Sequence, residues 1–397
     1  MDKVIRKQIE EAAEQFKVML TEQYERNQRM AARAGAGSAG RDGSDAGGGA
    51  GTVIGLAAGD GIGPVIMEEV KAVLGQLLEE ELAAGRVEFR DIEGFTLEER
   101  LAAGETVPVS VRSQMEACDV ILKGPTTTPN AAMGGINLES ANVYLRKYFD
   151  LFANVRPVSL PSEGIDWTFY RENTEGEYAL GSRGVRLGSE AGDGLSVDFK
   201  VITGEGTRRI ARAAYEFARA NGKKRVSIIT KANIMKKTDG DFQSICLDVA
   251  KDYPEIETDT WFVDIMAANL INRDIRSSFE VFILPNLYGD IITDEAAQIQ
   301  GGVGTAGSAN IGTDMAMFEA IHGSAPRMVA DGIAHLANPA SLMTAAVMML
   351  RHIGLTEKAA RLEAAVKAAD TMLGSRMTGL PGGKSCKDFA DLVRSNL

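Results

Sequence analysis

Several things are scarce in this chain of 397 residues, and each scarcity excludes a class of protein. Cysteine is rare: Cys118, Cys246 and Cys386 are widely spaced and form neither a disulfide framework nor a zinc-ligand pattern. A reducing, cytoplasmic setting is the expectation. No apolar run approaches the ~20 residues of a membrane span. The opening stretch MDKVIRKQIEEAAEQF is charged throughout and has no apolar signal core. Positive charge is in deficit, with 43 Lys+Arg against 55 Asp+Glu and a formal net charge of −12. Such a balance argues against nucleic acid or an anionic membrane as partner. An anionic small molecule is still admissible, but it would require a local cluster of cations.

The standard phosphate-binding signatures are missing too. There is no G-x-x-x-x-G-K-[ST]. Gly59-Asp60-Gly61-Ile62-Gly63-Pro64 follows an apolar run but lacks the third glycine position of the dinucleotide fingerprint. A literal G-x-G-x-x-G at Gly302, Gly304 and Gly307 follows the helical DEAAQIQ rather than a strand. On these rules alone, tight turns that need glycine explain both stretches.

What is present is an ordinary globular composition, 45% hydrophobic and 25% charged, over a length that suits two to three domains. Residues 1–33 form a helical extension whose Ile5, Ile9, Ala12, Phe16, Met19 and Gln23 fall on one face. That face either packs on the chain's own body or serves as an assembly arm. Residues 34–51, AGAGSAGRDGSDAGGGAG, read as a flexible linker. From Thr52 onward, apolar runs such as TVIGLAA, DVILKGP, RVSIIT and EVFILPNL alternate with helical stretches such as GTRRIARAAYEFARANG and ASLMTAAVMMLRHIGL. Strands alternating with helices predict an α/β protein with mainly parallel pairing.

Two charged constellations stand out. Arg146, Arg156 and Arg171 lie in a short span with Ser140 and Asn142. The planar fork of arginine grips a carboxylate through two charge-assisted hydrogen bonds, so three forks suit a di- or tricarboxylate. Surface arginines paired with nearby Glu are the plainer alternative. Asp290 and Asp294 sit four apart after an apolar strand, on one side of a helix if one starts there, and Asp264 lies in the preceding segment. Paired hard oxygen ligands suit Mg²⁺ or Mn²⁺, although such a pair also complements a helix N-terminus. Tyr178, which closes RENTEGEY, and Lys231, just after RVSIIT, are acid-base candidates. Beside a metal and arginines, their pKa values would be depressed.

Together, GDGIGP, LKGPTTTP, SANVYLRKYFDLFANVRPV, RENTEGEY, TKANIMK, NLYGDIITDEAAQIQGGVGTAGSANIG and FEAIHGSAP resemble the β-decarboxylating dehydrogenases of the isocitrate/isopropylmalate dehydrogenase family, from about Thr52 to the C-terminus. The resemblance implies a large α/β domain built from both chain ends, 52–150 with 302–397, around a smaller α/β middle domain, 151–301, with a clasp that interlocks subunits. It implies that Arg146, Arg156 and Arg171 hold the malate-like core, that Tyr178 and Lys231 are catalytic, and that Asp264, Asp290 and Asp294 bind the metal. It further implies a homodimer or higher homo-oligomer with shared active sites, in which Lys231 and Asp264 reach the neighbouring subunit's site. Expected cofactor contacts are Thr128, Glu319, His322, Gly323, Ser324, Ala325, Pro326 and Asn338.

Ser140-Ala141-Asn142 resembles the isocitrate-specific pattern, in which Ser and Asn bind the extra carboxylate. An isopropyl group there would leave both side chains unpaired, at about 1–3 kcal/mol per group. The expected reaction is oxidative decarboxylation of isocitrate, with isopropylmalate or homoisocitrate oxidation as alternatives. A non-catalytic regulatory subunit of a heteromer is the alternative from another class. The segment after HGSAP is longer than the familiar bacterial pattern. Arg327 there suits a 2′-phosphate and Asp331 suits ribose hydroxyls, and the reading leans to NAD over NADP.

Overall fold

A computed structural model of the chain describes residues 3–35, 51–129, 138–181, 183–188, 194–302 and 304–397. The expected linker therefore lies almost wholly outside the described residues. The chain divides into two compact units, Gly40–Thr168 with Thr293–Leu397, and Met1–Ala39 with Phe169–Ile292.

In the larger unit the strands run in the order Val87–Asp91, Thr52–Ala57, Val120–Lys123, Ala316–Ala320, Gly307–Ile311, Ala153–Leu160. The first four pair in parallel, while Gly307–Ile311 is antiparallel to both its neighbours. Both faces of this sheet are buried, so side chains from neighbouring positions enter different cores. Leu122 and Phe318 pack with the helices Gly63–Leu77, Ala340–His352, Thr356–Leu373 and Cys386–Ser395. Ile121 and Met317 pack the other way, with Val111 and Met115 of the helix Val109–Glu116 and Leu145 of the helix Ala141–Tyr148. The apolar runs read from the sequence are thus strands covered on both sides.

The turn after the first strand is fixed by a buried ion pair. Asp60 accepts from the backbone N–H of Leu97 at 2.6 Å and of Thr127 at 2.7 Å, and from Arg100 Nη2 at 2.8 Å. Arg100 is fully buried and also donates to the Thr127 carbonyl at 2.9 Å. Gly61, with φ +62°, lies so close to the Ser324 carbonyl that a Cβ would sit 1.9 Å from its oxygen. Glycine is required there both for conformation and for the close approach. GDGIGP is therefore a packing turn that seats the His322–Pro326 loop, with Ile62 N–H donating to Ser324 O at 3.0 Å.

In the smaller unit, Val281–Leu284, Arg225–Thr230 and Glu257–Phe262 form a parallel sheet, flanked by the second half of the strand Ile165–Glu172. Phe169 stacks on Phe282 with ring centroids 4.3 Å apart. A short antiparallel ribbon, Val185–Leu187 with Leu195–Val197, lies in the stretch where a clasp was expected. The N-terminal helix, Lys3–Gly35, belongs to this unit and packs on it, although Ile9 and Phe16 of its expected apolar face stay exposed. Met19 is buried, Phe16 stacks on Phe199 at 5.0 Å, and Gln8 accepts from Gly188 N–H at 2.9 Å.

Arg100→Ala should strip a buried carboxylate of its counter-charge and destabilise the protein by about 3–5 kcal/mol. Urea unfolding monitored by circular dichroism would measure it, and a loss under about 1 kcal/mol would contradict the role given to the pair.

Candidate active site

The expected residues fall into several groups within the two units. In the larger unit Glu319 is the centre of a buried polar network. Lys123 Nζ lies 2.9 Å from Oε2 and Arg146 Nη2 lies 3.0 Å from Oε1. Asn310 Nδ2 donates to Oε1 at 2.8 Å, and Asn310 Oδ1 accepts from Asn154 Nδ2 at 2.9 Å. Burial alone would push the Glu319 carboxyl up; the charges of Lys123 and Arg146, helped by their hydrogen bonds, overcome this and hold it far below the usual carboxylate range.

Arg146 thus reaches a residue expected to contact cofactor. Its helix, Ala141–Tyr148, starts at Ser140, whose hydroxyl caps Val143 N–H at 3.5 Å. Asn142 Oδ1 accepts from the Thr126 hydroxyl at 2.9 Å. Thr128, two residues on from Thr126, is exposed. The Ser324 hydroxyl is 2.6 Å from that of Thr127, and Ala325 holds a left-handed φ of +44° ahead of Pro326. His322 Nδ1 lies 3.0 Å from the Gly323 carbonyl, while its Nε2 is buried without a hydrogen-bond partner. Burial holds its imidazole pKa down. Asn338 Oδ1 accepts from Ala340 N–H at 3.0 Å, at the start of the helix Ala340–His352. Arg156 Nη1 donates to the Thr293 hydroxyl at 2.6 Å and to Asp294 Oδ1 at 2.9 Å.

In the smaller unit Arg171, Tyr178 and Asp290 meet. Arg171 is fully buried, donating through Nη1 to Asp290 Oδ1 at 2.5 Å and through Nη2 to Asn286 Oδ1 at 2.7 Å. The Tyr178 hydroxyl donates to Asp290 Oδ2 at 3.0 Å. Burial and the neighbouring Asp290 carboxylate push the Tyr178 phenol up, against the opposing charge of Arg171. The phenol's hydrogen-bond partner is thus an anion.

Lys231 and Asp264 form a pair of their own, Nζ to Oδ1 at 2.5 Å. The Lys231 hydrogen bond holds the exposed Asp264 carboxyl below its usual range. Asp239 fixes the Lys231 backbone, accepting its N–H at 2.7 Å, and Asp239 is itself paired with the buried Lys200 at 2.5 Å. Asp290 and Asp294 lie one turn apart on the helix Asn286–Gln300. Among the described residues, no group of three or more His, Cys, Asp or Glu side chains is gathered to hold a metal ion.

A sequence model of the isocitrate/isopropylmalate dehydrogenase family matches residues 53–393. The chain belongs to that family. The mitochondrial NAD isocitrate dehydrogenase subunit alpha of Homo sapiens is 40% identical over 294 residues, 72% of this chain and 76% of the relative. The same subunit of Macaca fascicularis is 40% identical over 294 residues, covering 72% and 80%. The crystal structure of isocitrate dehydrogenase from Methylococcus capsulatus superimposes with a TM-score of 0.75 at 33% identity, covering 87% of this chain and 99% of that one. The family's α/β architecture, expected from the motifs, is the fold observed. The two named subunits are mitochondrial, which lends nothing to the cytoplasmic expectation. No helix among the described residues is long and apolar enough to cross a membrane.

Two residues escaped the sequence reading. Lys123 is the one charge in the wholly buried strand Val120–Lys123, and a lysine ending VILK was the available signal. Gly289 left no such signal: a Cβ there would sit 2.4 Å from Arg171 Cγ, so the guanidinium reaches Asp290 only across a bare backbone.

Gly289→Ala should cost about 1–3 kcal/mol of stability, as overpacking does, and should displace Arg171. An unchanged melting temperature would contradict this. Glu319 gives a pH prediction. Its folded pKa is depressed, so the stability it contributes is present above the unfolded value of 4.5 and is lost as pH falls below it. Urea titrations from about pH 7 to pH 3 should show a shallower acid decline in Glu319→Gln than in the wild type.

Proposed function

We propose that the chain is a metal-dependent isocitrate dehydrogenase that oxidatively decarboxylates isocitrate to 2-oxoglutarate and CO₂ with reduction of NAD. The observation that carries the reading is the joint retention of Arg146, Arg156 and Arg171 with Tyr178, Lys231, Asp264, Asp290 and Asp294. A regulatory subunit would be under no chemical constraint to keep all eight. The polar Ser140 and Asn142, both partly exposed, favour isocitrate over isopropylmalate, because an apolar substituent packed against them would cover polar atoms without offering a hydrogen bond. That the named relatives use NAD supports NAD over NADP.

Asp290 and Asp294, one turn apart and both partly exposed, offer the hard carboxylate oxygens that Mg²⁺ or Mn²⁺ accepts, with Asp264 as the third. The cation, when bound, would polarise the substrate's C2 oxygen. The partnerless Nε2 of His322 and the exposed Thr128 and Gly323 suit the polar atoms of a dinucleotide along the His322–Pro326 loop, with Asn338 beside it. In this reading the three arginines orient the substrate carboxylates, Lys231 removes the C2 hydroxyl proton as hydride leaves, and Tyr178 returns a proton to the carbon that loses CO₂. The Tyr178 hydroxyl, which carries its proton and donates it in a hydrogen bond to Asp290, supports the last assignment.

The separate Lys231–Asp264 pair supports an active site shared between subunits. Around it Ile234, Met235, Phe262, Ile265 and Ile271 are exposed, an apolar surface that a second copy of the chain would cover. A homodimer is the simplest assembly. The designation of the relatives as subunits makes a heteromer the second reading.

Steady-state rates with isocitrate, isopropylmalate and homoisocitrate, each with NAD and NADP and with Mg²⁺ or Mn²⁺, test the proposal. Isocitrate with NAD should dominate, and EDTA should abolish turnover. Lys231→Met and Tyr178→Phe should each lower kcat by on the order of 10²–10⁴-fold with the oligomer retained. Wild-type rates in either variant would remove its assigned role.

A further inference from the structure

The N-terminal helix Lys3–Gly35 precedes the region matched by the family, yet it sends a side chain into the motif that carries Arg171 and Tyr178. Arg26 Nη1 donates to Glu175 Oε1 at 2.8 Å and Nη2 to the Thr174 hydroxyl at 3.1 Å. Glu175 has only 1% of its side chain exposed, against 24% for Arg26. It also accepts the Thr203 N–H at 2.8 Å and the Thr203 hydroxyl at 2.5 Å. A second buried acid, Glu172, accepts the backbone N–H of Glu175 at 2.6 Å and of Thr174 at 3.0 Å. Burial and the charge of Glu175 push the Glu172 carboxyl up to about 7. Two acids three residues apart thus share one buried turn. Among the described residues, cations that reach this turn include Arg209, whose Nη2 donates to the Thr174 hydroxyl at 3.1 Å, and Arg26 from the added helix.

From that turn the contacts run on to the catalytic groups. The Glu175 carbonyl accepts from Asn286 Nδ2 at 3.0 Å, and Asn286 Oδ1 accepts from Arg171 Nε at 3.2 Å and Nη2 at 2.7 Å. Arg171 then holds Asp290, which also receives the Tyr178 hydroxyl. We propose that the N-terminal helix is a built-in clamp on the RENTEGEY motif and that Arg26 is a positioning residue, acting through Glu175 and Asn286 on Arg171 and Tyr178. The clamp rests on the roles given to Arg171 and Tyr178 under Proposed function. Its physical basis is that a buried carboxylate deprived of its guanidinium must either take up a proton or draw water into the turn, and both move the backbone that Asn286 grips.

The test uses the full chain. Arg26→Ala should lower kcat with isocitrate by about tenfold or more at temperatures where circular dichroism reports a folded protein. Glu22→Gln, which breaks the exposed Glu22–Arg183 pair of the same helix, should leave kcat at the wild-type value. Glu175→Gln removes the charge that Arg26 offsets, so adding Arg26→Ala to it should cost little further. Wild-type kcat in Arg26→Ala, or a double variant that loses the full product of both single effects, overturns the proposal. If Arg26→Ala does not fold, Arg26→Lys keeps the charge without the fork and should still lose turnover; wild-type kcat in that variant overturns the clamp. If the wild type turns over none of the family's acids, the functional reading fails and hydrogen exchange decides the clamp separately. Amides of residues 172–178 should then exchange about tenfold faster in Arg26→Ala. Unchanged protection overturns it.

Discussion

A charge taken out of water must find its counter-charge inside the protein, and that requirement organises this molecule. Lys123 and Glu319 are direct register partners on neighbouring parallel strands, so their ion pair runs across the sheet itself. Arg146 brings in the helix Ala141–Tyr148, and Asn310 and Asn154 extend the network over two further strands. One carboxylate thereby ties four strands and a helix of the larger unit to a common point. Replacing such a cluster with apolar groups can be neutral for stability, but removing one member leaves the others uncompensated. The cluster consequently fixes where Arg146 can be.

The same requirement shapes the smaller unit. Arg171 is paired with Asp290, Glu175 with Arg26, and Lys200 with Asp239 and Glu177. Asp239 in turn fixes the backbone of Lys231. The net charge of −12 is therefore a poor guide to ligand preference, because the cations that matter are buried beside acids of their own. An arginine has five N–H donors in a planar fork, so one carboxylate partner does not exhaust it. Under the proposed function, a substrate carboxylate at such an arginine would meet a donor set already oriented, and less ordering entropy would be lost on binding.

Most of the frame was legible in the sequence because local rules govern it. Apolar runs closed by turn residues became buried strands, and a helix does start where Asp290 and Asp294 needed one to share a side, at Asn286. The site residues were legible as motifs, yet their contacts were not. Nothing local ties Arg26 to Glu175, 149 positions away, or Arg146 to Glu319, 173 positions away. Ser140 shows another gap: its hydroxyl serves as a helix cap, accepting from Val143 N–H within the helix it starts. Tyr178 shows a further gap: the arginines near it stand in the local sequence, while the carboxylate that accepts its hydrogen bond lies 112 positions on.

The N-terminal helix shows how a segment outside a family's shared frame becomes part of its chemistry. Its apolar face, from Ile5 to Gln23, explains docking but not where along the unit the helix stops. Hydrophobic contact is non-directional, and a helix held by Met19 and Phe16 alone could slide. The Arg26 fork supplies the missing registration, because Glu175 and Thr174 accept it at one axial position of the helix. The relation is reciprocal. The helix fixes the arginine, the arginine compensates a buried acid, and the turn bearing that acid holds Asn286, which holds Arg171. An extension that offered only burial would add stability; one that delivers a charge to this turn also sets the geometry of the side chains that follow it.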